Sequence, residues 1–145
     1  MIKREEGFTL IELAMVVLVL GLVTAIAAGG FGRYSDHYAL NGATGNIAER
    51  VRFTRERAMA TRTSQTVRFE AGYQGTDYRV EVGGVMQAGW ALPKRITYTW
   101  LTGTIASVTL SPDGRASTSG LVILQDARGF KDTVSVLSSG LVLTQ

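Results

Sequence analysis

One carboxylate, Glu12, interrupts an otherwise uncharged apolar run, FTLIELAMVVLVLGLVTAIAAGGF, at residues 8–31. A carboxylate in hydrocarbon is costly, so it is expected to face a partner and to mark function. The plainer reading is a protonated Glu tolerated near the headgroups of an ordinary anchor. Gly7 stands directly before the run and ends a short polar leader that holds Lys3, Arg4, Glu5 and Glu6. Elsewhere, side chains that do chemistry are sparse. His37 is the single histidine, and a metal site would need partners that the sequence does not supply. Ser117, Thr118 and Ser119 share a polar loop without a base suited to nucleophilic work. Gly83-Gly84 is not followed by the Lys-Ser/Thr of a phosphate loop. Asp113, Asp126 and Asp132 offer loop carboxylates whose spacing matches no known calcium loop. The chain has no cysteine, which removes disulfides, thiolate metal sites and a catalytic Cys. The expectation is a protein with no catalytic residue, no metal and no cofactor.

The elements that would position Glu12 are legible in the pattern. As a helix, residues 8–31 would span about 36 Å, enough for a bilayer core of about 30 Å. Lys3 and Arg4 ahead of it keep the N-terminus on the cytoplasmic side, and the rest of the chain is then placed across the membrane. A cleaved secretory signal peptide is the rival reading, but the run is long for one and its polar leader ends before the apolar segment. Gly29, Gly30 and Gly32 permit a bend or local unwinding near the membrane surface. Arg33, Tyr34, Asp36, His37 and Tyr38 form a polar and aromatic set suited to an interface. Gly42 and Gly45 weaken the helix again.

Residues 46–63 have a clear helical pattern. Ile47, Val51, Thr54 and Ala58 recur on one narrow face of small side chains, on which a sheet could pack closely. Arg50 and Arg57 flank that stripe on one side and Arg52 and Arg55 on the other, with Glu49 and Glu56 opposite. Read functionally, this is an anion or DNA contact, with Arg52, Arg55 and Arg62 as candidates. The interleaved acids and the spread of charge over both flanks favour an ordinary solvated helix. The net charge of +3, with most cations Arg, is too small to force a nucleic-acid partner.

From Gln65 the period changes to two. Val67/Phe69, Tyr78/Val80/Val82, Ile96/Tyr98/Trp100, Val108/Leu110, Leu121/Ile123, Val134/Val136 and Leu141/Leu143 mark inward positions of short strands. Turn chemistry falls between them, at 72–76, Gly83-Gly84, Ser111-Pro112-Asp113-Gly114, Arg128-Gly129 and Ser139-Gly140. Trp90 and Trp100 are expected in the core. The fold class is α+β: a long N-terminal helix whose later half packs on an antiparallel β domain, arranged as a sheet pair or sandwich.

Gly7-Phe8-Thr9-Leu10-Ile11-Glu12-Leu13 resembles the signal of type IV pilins and type II secretion pseudopilins. The Arg55–Arg62 segment with its Ala-Met-Ala, the Val67-Arg68-Phe69 strand, Ser111-Pro112-Asp113-Gly114-Arg115 and Ser138-Ser139-Gly140 resemble the GspH/FimT branch of that family. The resemblance implies a leader at 1–7, a transmembrane helix at 8–31, its amphipathic continuation at 32–63 and a periplasmic β domain at 64–145. It implies cleavage between Gly7 and Phe8 by a prepilin peptidase, N-methylation of Phe8, and pairing of Glu12 with the α-amino group of a neighbouring subunit. Implied partners are other pseudopilins or pilins in a filament, the inner-membrane assembly platform and membrane lipid. The implied function is a minor pseudopilin of a type II secretion system, or alternatively a minor pilin of a type IV pilus. A membrane-anchored enzyme is the third class, and no site supports it. Some pilus-side members carry a basic Gly-Arg-x-Arg stretch near the C-terminus that is associated with DNA. Here that place reads Gly140-Leu141-Val142-Leu143, which tilts the expectation toward secretion and away from DNA.

Overall fold

The computed structural model describes residues 8–145, and for 28–34 the backbone only. Helix α1 spans Leu10–Thr61, and its helical backbone runs through Gly29, Gly30 and Gly32. The local unwinding expected at those glycines is therefore absent. The chain divides into two compact units, the first ending at Ser35 and the second comprising Asp36–Gln145.

In the first unit the side chains from Leu10 to Ala27 are exposed, and this stretch is long and apolar enough to cross a membrane. Among the described residues nothing in the unit covers them, as expected of a helix whose apolar surface is meant for lipid or other helices.

The second unit is built around the C-terminal half of α1. Leu40, Ala43, Thr44, Ile47, Ala48, Val51, Thr54 and Ala58 are all buried. Their three- and four-residue spacing gives a single apolar stripe. The expected face of Ile47, Val51, Thr54 and Ala58 is thus in the core, and it extends about two turns further back, to Leu40. Thr44 and Thr54 are tolerated there because their hydroxyls donate to the Leu40 and Arg50 carbonyls one turn earlier. The helix ends with Arg62 in the left-handed region at φ 52°. Thr63 N–H then bonds back to the Ala58 carbonyl at 3.2 Å, which closes a Schellman-type cap.

Eight strands follow: β1 Gln65–Tyr73, β2 Thr76–Val82, β3 Val85–Trp90, β4 Thr97–Tyr98, β5 Ser107–Leu110, β6 Gly120–Gln125, β7 Lys131–Val136 and β8 Val142–Thr144. They form two antiparallel four-stranded sheets, ordered β3-β2-β1-β5 and β4-β6-β7-β8. The chain before β5 stitches them together: Ile105 N–H bonds to the Leu121 carbonyl, and Phe69 N–H to the Ala106 carbonyl. The helix stripe, Val67 and Phe69 of β1, Tyr78 and Val80 of β2, Val108 and Leu110 of β5 and the inner residues of β6–β8 share one core.

Four expectations about the strands need correction. Strand β3 was not anticipated, because Val85-Met86-Gln87-Ala88-Gly89-Trp90 does not alternate. In β6 Val122 and Leu124 are buried beside the expected Ile123, and in β8 Val142 alone, while Leu141 is 51% and Leu143 42% exposed. Both segments are unbroken apolar runs, so no polar partner marks the phase. Arg79 and Glu81, placed outward by alternation, are buried, because they pair with each other at 2.6 Å under the Tyr73 ring. Trp100 is 51% exposed, outside the core, since β4 stops at Tyr98. Trp90 is partly buried and stacks on Tyr78 at 5.5 Å.

Candidate assembly site

The start of α1 is set by a reciprocal cap. Thr9 N–H and Thr9 Oγ1 both donate to Glu12 Oε2 at 2.9 Å, and Glu12 N–H donates to Thr9 Oγ1 at 3.3 Å. A Thr followed three residues later by Glu is a capping box, which satisfies backbone donors that the first helical turn leaves orphaned. Phe8 and Thr9 consequently lie outside the helix, and Phe8 is exposed. Gly7 and the leader lie outside the described residues. Glu12 Oε1 takes no hydrogen bond among the described residues, so the carboxylate keeps acceptor capacity for a cation brought by another chain. It sits among exposed Leu10, Ile11 and Leu13. In an apolar setting a paired charge is far less costly than a lone one, so such a carboxylate selects for a neighbour that supplies the cation.

Three arginines of the second half of α1, Arg50, Arg52 and Arg55, are used within the fold. Arg52 donates from Nη2 to the Val142 carbonyl at 2.9 Å and so ties the helix to β8. Arg55 donates from Nε to the Gly114 carbonyl at 2.8 Å. Two turns converge on Arg55. Gly114 closes the Ser111 turn at φ +79°, and Gly140 closes the Leu137 turn at φ +78°. A Cβ on Gly140 would collide with the Gly114 carbonyl oxygen and lie 2.7 Å from Arg55 Nε. The Ser-Pro-Asp-Gly and Ser-Ser-Gly segments are therefore halves of one contact, closed over by a helix arginine. Arg62, the third candidate anion contact, forms the helix cap. Arg50 lies over the Trp90 ring, 4.5 Å from its centroid. Arg52 and Arg55 are thus anchors between helix and turns, a role that charge patterning alone did not reveal.

At the head of the second unit, Asp36 faces Arg95 at 3.3 Å and Arg128 at 3.2 Å, so α1 is tied to both loops at that end. His37 contacts Asn41 at 3.3 Å, and no group of residues that could hold a metal occurs among the described residues. The loop carboxylates hold their own turns. Asp126 accepts from Arg128 and Phe130 N–H, Asp113 from Arg115 N–H and Asp132 from Thr133 N–H. Ser117 Oγ accepts from Thr109 N–H.

Comparison with known proteins agrees with this arrangement. The family described as the prokaryotic N-terminal methylation motif matches residues 2–28. No curated protein matches the chain. Two crystal forms of the type IV minor pilin FimU from Pseudomonas aeruginosa share the fold. One superposes with a TM-score of 0.59 at 12% identity, over 77% of this chain and 92% of FimU. The other gives 0.57 at 14% identity, over 73% and 92%.

Proposed function

We propose that this type IV pilin-like protein, with its prepilin methylation motif and minor-pilin fold, is a minor structural subunit of a pilin-type filament and has no enzymatic role. The observation that carries the reading is the exposed apolar helix headed by the Thr9–Glu12 cap and continuous with the core of a helix-on-two-sheets domain. In this account residues 1–7 are a leader removed between Gly7 and Phe8. Phe8 becomes the methylated N-terminus, and Glu12 pairs with the α-amino group of the adjacent subunit. Before assembly, residues 8–31 anchor the chain in the inner membrane with the N-terminus cytoplasmic. The β domain lies in the periplasm. During assembly the helix passes into the filament core with the help of the peptidase and the assembly platform.

Two filaments remain as destinations. The apolar Gly140–Leu143 segment, whose Val142 carbonyl is held by Arg52, favours a secretion pseudopilus, since it offers no cations to DNA. The likeness to FimU favours a type IV pilus. Crosslinking in the native host with a C-terminal tag, followed by mass spectrometry, separates them. Recovery of pseudopilins and a secretion platform supports the first. Recovery of pilins and pilus assembly proteins supports the second, and recovery of neither refutes the filament reading.

A further inference from the structure

A small cavity of about 80 Å³ opens between the helix and the edge of the first sheet. Arg50, Phe53 and Arg57 wall it on the helix side, and Gln65, Val80, Gln87, Ala88 and Trp90 line it from the sheet. Its polar side chains are two guanidinium groups, two amides and the Thr54 hydroxyl, which is spent on the Arg50 carbonyl, with no acidic side chain. Arg50 lies over the ring of Trp90, which is itself stacked on Tyr78, so the ring seats the guanidinium while its N–H donors stay available. Neither Arg50 nor Arg57 has a carboxylate within ion-pair distance among the described residues, unlike Arg68, Arg79, Arg95 and Arg128. Gln65 is buried, and its Oε1 has no hydrogen-bond partner. Such a group is costly to leave unsatisfied. The cavity borders β3, which is an edge strand with an open row of backbone groups. Phe53, on its helix side, is exposed.

These observations name an occupant. The arginines call for a carboxylate, and the Gln65 oxygen calls for an N–H donor. An acidic residue within a peptide supplies both, whereas the phosphodiester of a nucleic-acid backbone supplies only the anion. The cavity is small, has an apolar floor and is not continued by a basic stripe, because Arg52 and Arg55 are engaged on carbonyls. From this geometry we infer that the cavity is a docking site for an acidic side chain of a partner polypeptide laid along the β3 edge, by strand addition. The inference does not depend on which filament the chain joins, or on whether it joins one.

The test uses the full-length chain in detergent micelles with Trp100→Phe, so that Trp90 is the sole tryptophan. Acetyl-Val-Glu-methylamide is titrated against Trp90 fluorescence, in parallel with acetyl-Val-Gln-methylamide, inorganic phosphate and a short DNA duplex. The Glu peptide is expected to saturate the signal, and the Gln peptide to bind at least tenfold more weakly. Arg57→Gln should weaken the Glu peptide about tenfold, the usual cost of a charge-assisted hydrogen bond. Arg57→Lys, which keeps the charge, should recover part of that loss. Arg62→Gln, outside the cavity, should change nothing. Equal binding of the two peptides, or an Arg57→Gln variant with unaltered Trp90 emission and full affinity, overturns the proposal. Phosphate or DNA binding tighter than the Glu peptide with the same Arg57 dependence also overturns it, in favour of a simple anion site.

Discussion

Replacing Gly140 by Ala tests the convergence of turns on Arg55. Gly140 has φ +78°, where an L side chain costs about 1–2 kcal/mol. The added Cβ would also overlap the Gly114 carbonyl oxygen and crowd Arg55 Nε at 2.7 Å and Cδ at 3.1 Å. The neighbours are backbone and an anchored guanidinium, so relief requires the turns to part. Parting them breaks the 2.8 Å bond from Arg55 to Gly114, and a hydrogen bond from a charged donor is worth about 1.5–3 kcal/mol. Together these give about 2.5–5 kcal/mol, a large share of the roughly 5–15 kcal/mol that holds a domain folded. Gly72 is the matched control. It has φ +75° with nothing within 4 Å of an added Cβ, so Gly72→Ala should cost only about 1 kcal/mol. Equilibrium urea unfolding of the full chain in micelles, followed by near-ultraviolet circular dichroism, measures both. If Gly140→Ala costs no more than Gly72→Ala, the close approach is not a source of stability and the role given to Arg55 fails.

The remaining predictions concern the ion pairs and the two ends of the helix. Glu81→Gln leaves Arg79 buried beside only the exposed Glu70, and should destabilise by roughly 2–3 kcal/mol in the same unfolding assay. Burial pushes the Glu81 carboxyl upward, but hydrogen bonds and charge from Arg79 and Arg68 outweigh it and hold the group below its ordinary value of 4.5. The unfolded chain therefore binds the proton more tightly. The contribution of Glu81 is complete above about pH 4.5 and is lost as the pH falls through the lower folded value, so Glu81→Gln should flatten the acid limb of the stability–pH curve. Arg62→Gly relieves a left-handed residue at about 1–2 kcal/mol while adding unfolded-state entropy worth about 0.4–1 kcal/mol, so it should stabilise by roughly half a kcal/mol in urea unfolding. Thr9→Ala removes the cap and should speed amide exchange in the first turn of α1 about fivefold, corresponding to about 1 kcal/mol. Unchanged exchange would show that Glu12 holds the helix start without Thr9.

How much of this could be read beforehand depended on whether polar residues marked the phase. The stripe of Ile47, Val51, Thr54 and Ala58 is flanked by charges on both sides, so its inward direction was plain. Leu40, Ala43 and Thr44 continue that stripe, but Gly42 and Gly45 beside them weaken the helical signal there. Tertiary packing overrode that propensity. Val122, Leu124 and Val142 sit in apolar runs whose phase only the sheet partners decide. Strand β3 has no alternation at all and exists because β2 offers it an edge. The Thr9–Glu12 cap has a visible spacing, but a carboxylate in an apolar run points equally to a partner on another chain, so the spacing alone does not reveal the bond to Thr9. Arg55 with Gly114 and Gly140 joins three segments far apart in the chain, and no local pattern shows such a contact. The signal available was the pair of Ser-x-x-Gly and Ser-Gly turns, each with glycine where φ is positive.

The most direct test of the account is mass spectrometry of the chain crosslinked in its native host, read at the N-terminal peptide. The account predicts a peptide that begins at N-methylated Phe8 and is joined to pilin-like subunits, with those crosslinks lost in Glu12→Val while cleavage persists. A peptide that begins at Met1, with no pilin-like protein attached, would contradict it.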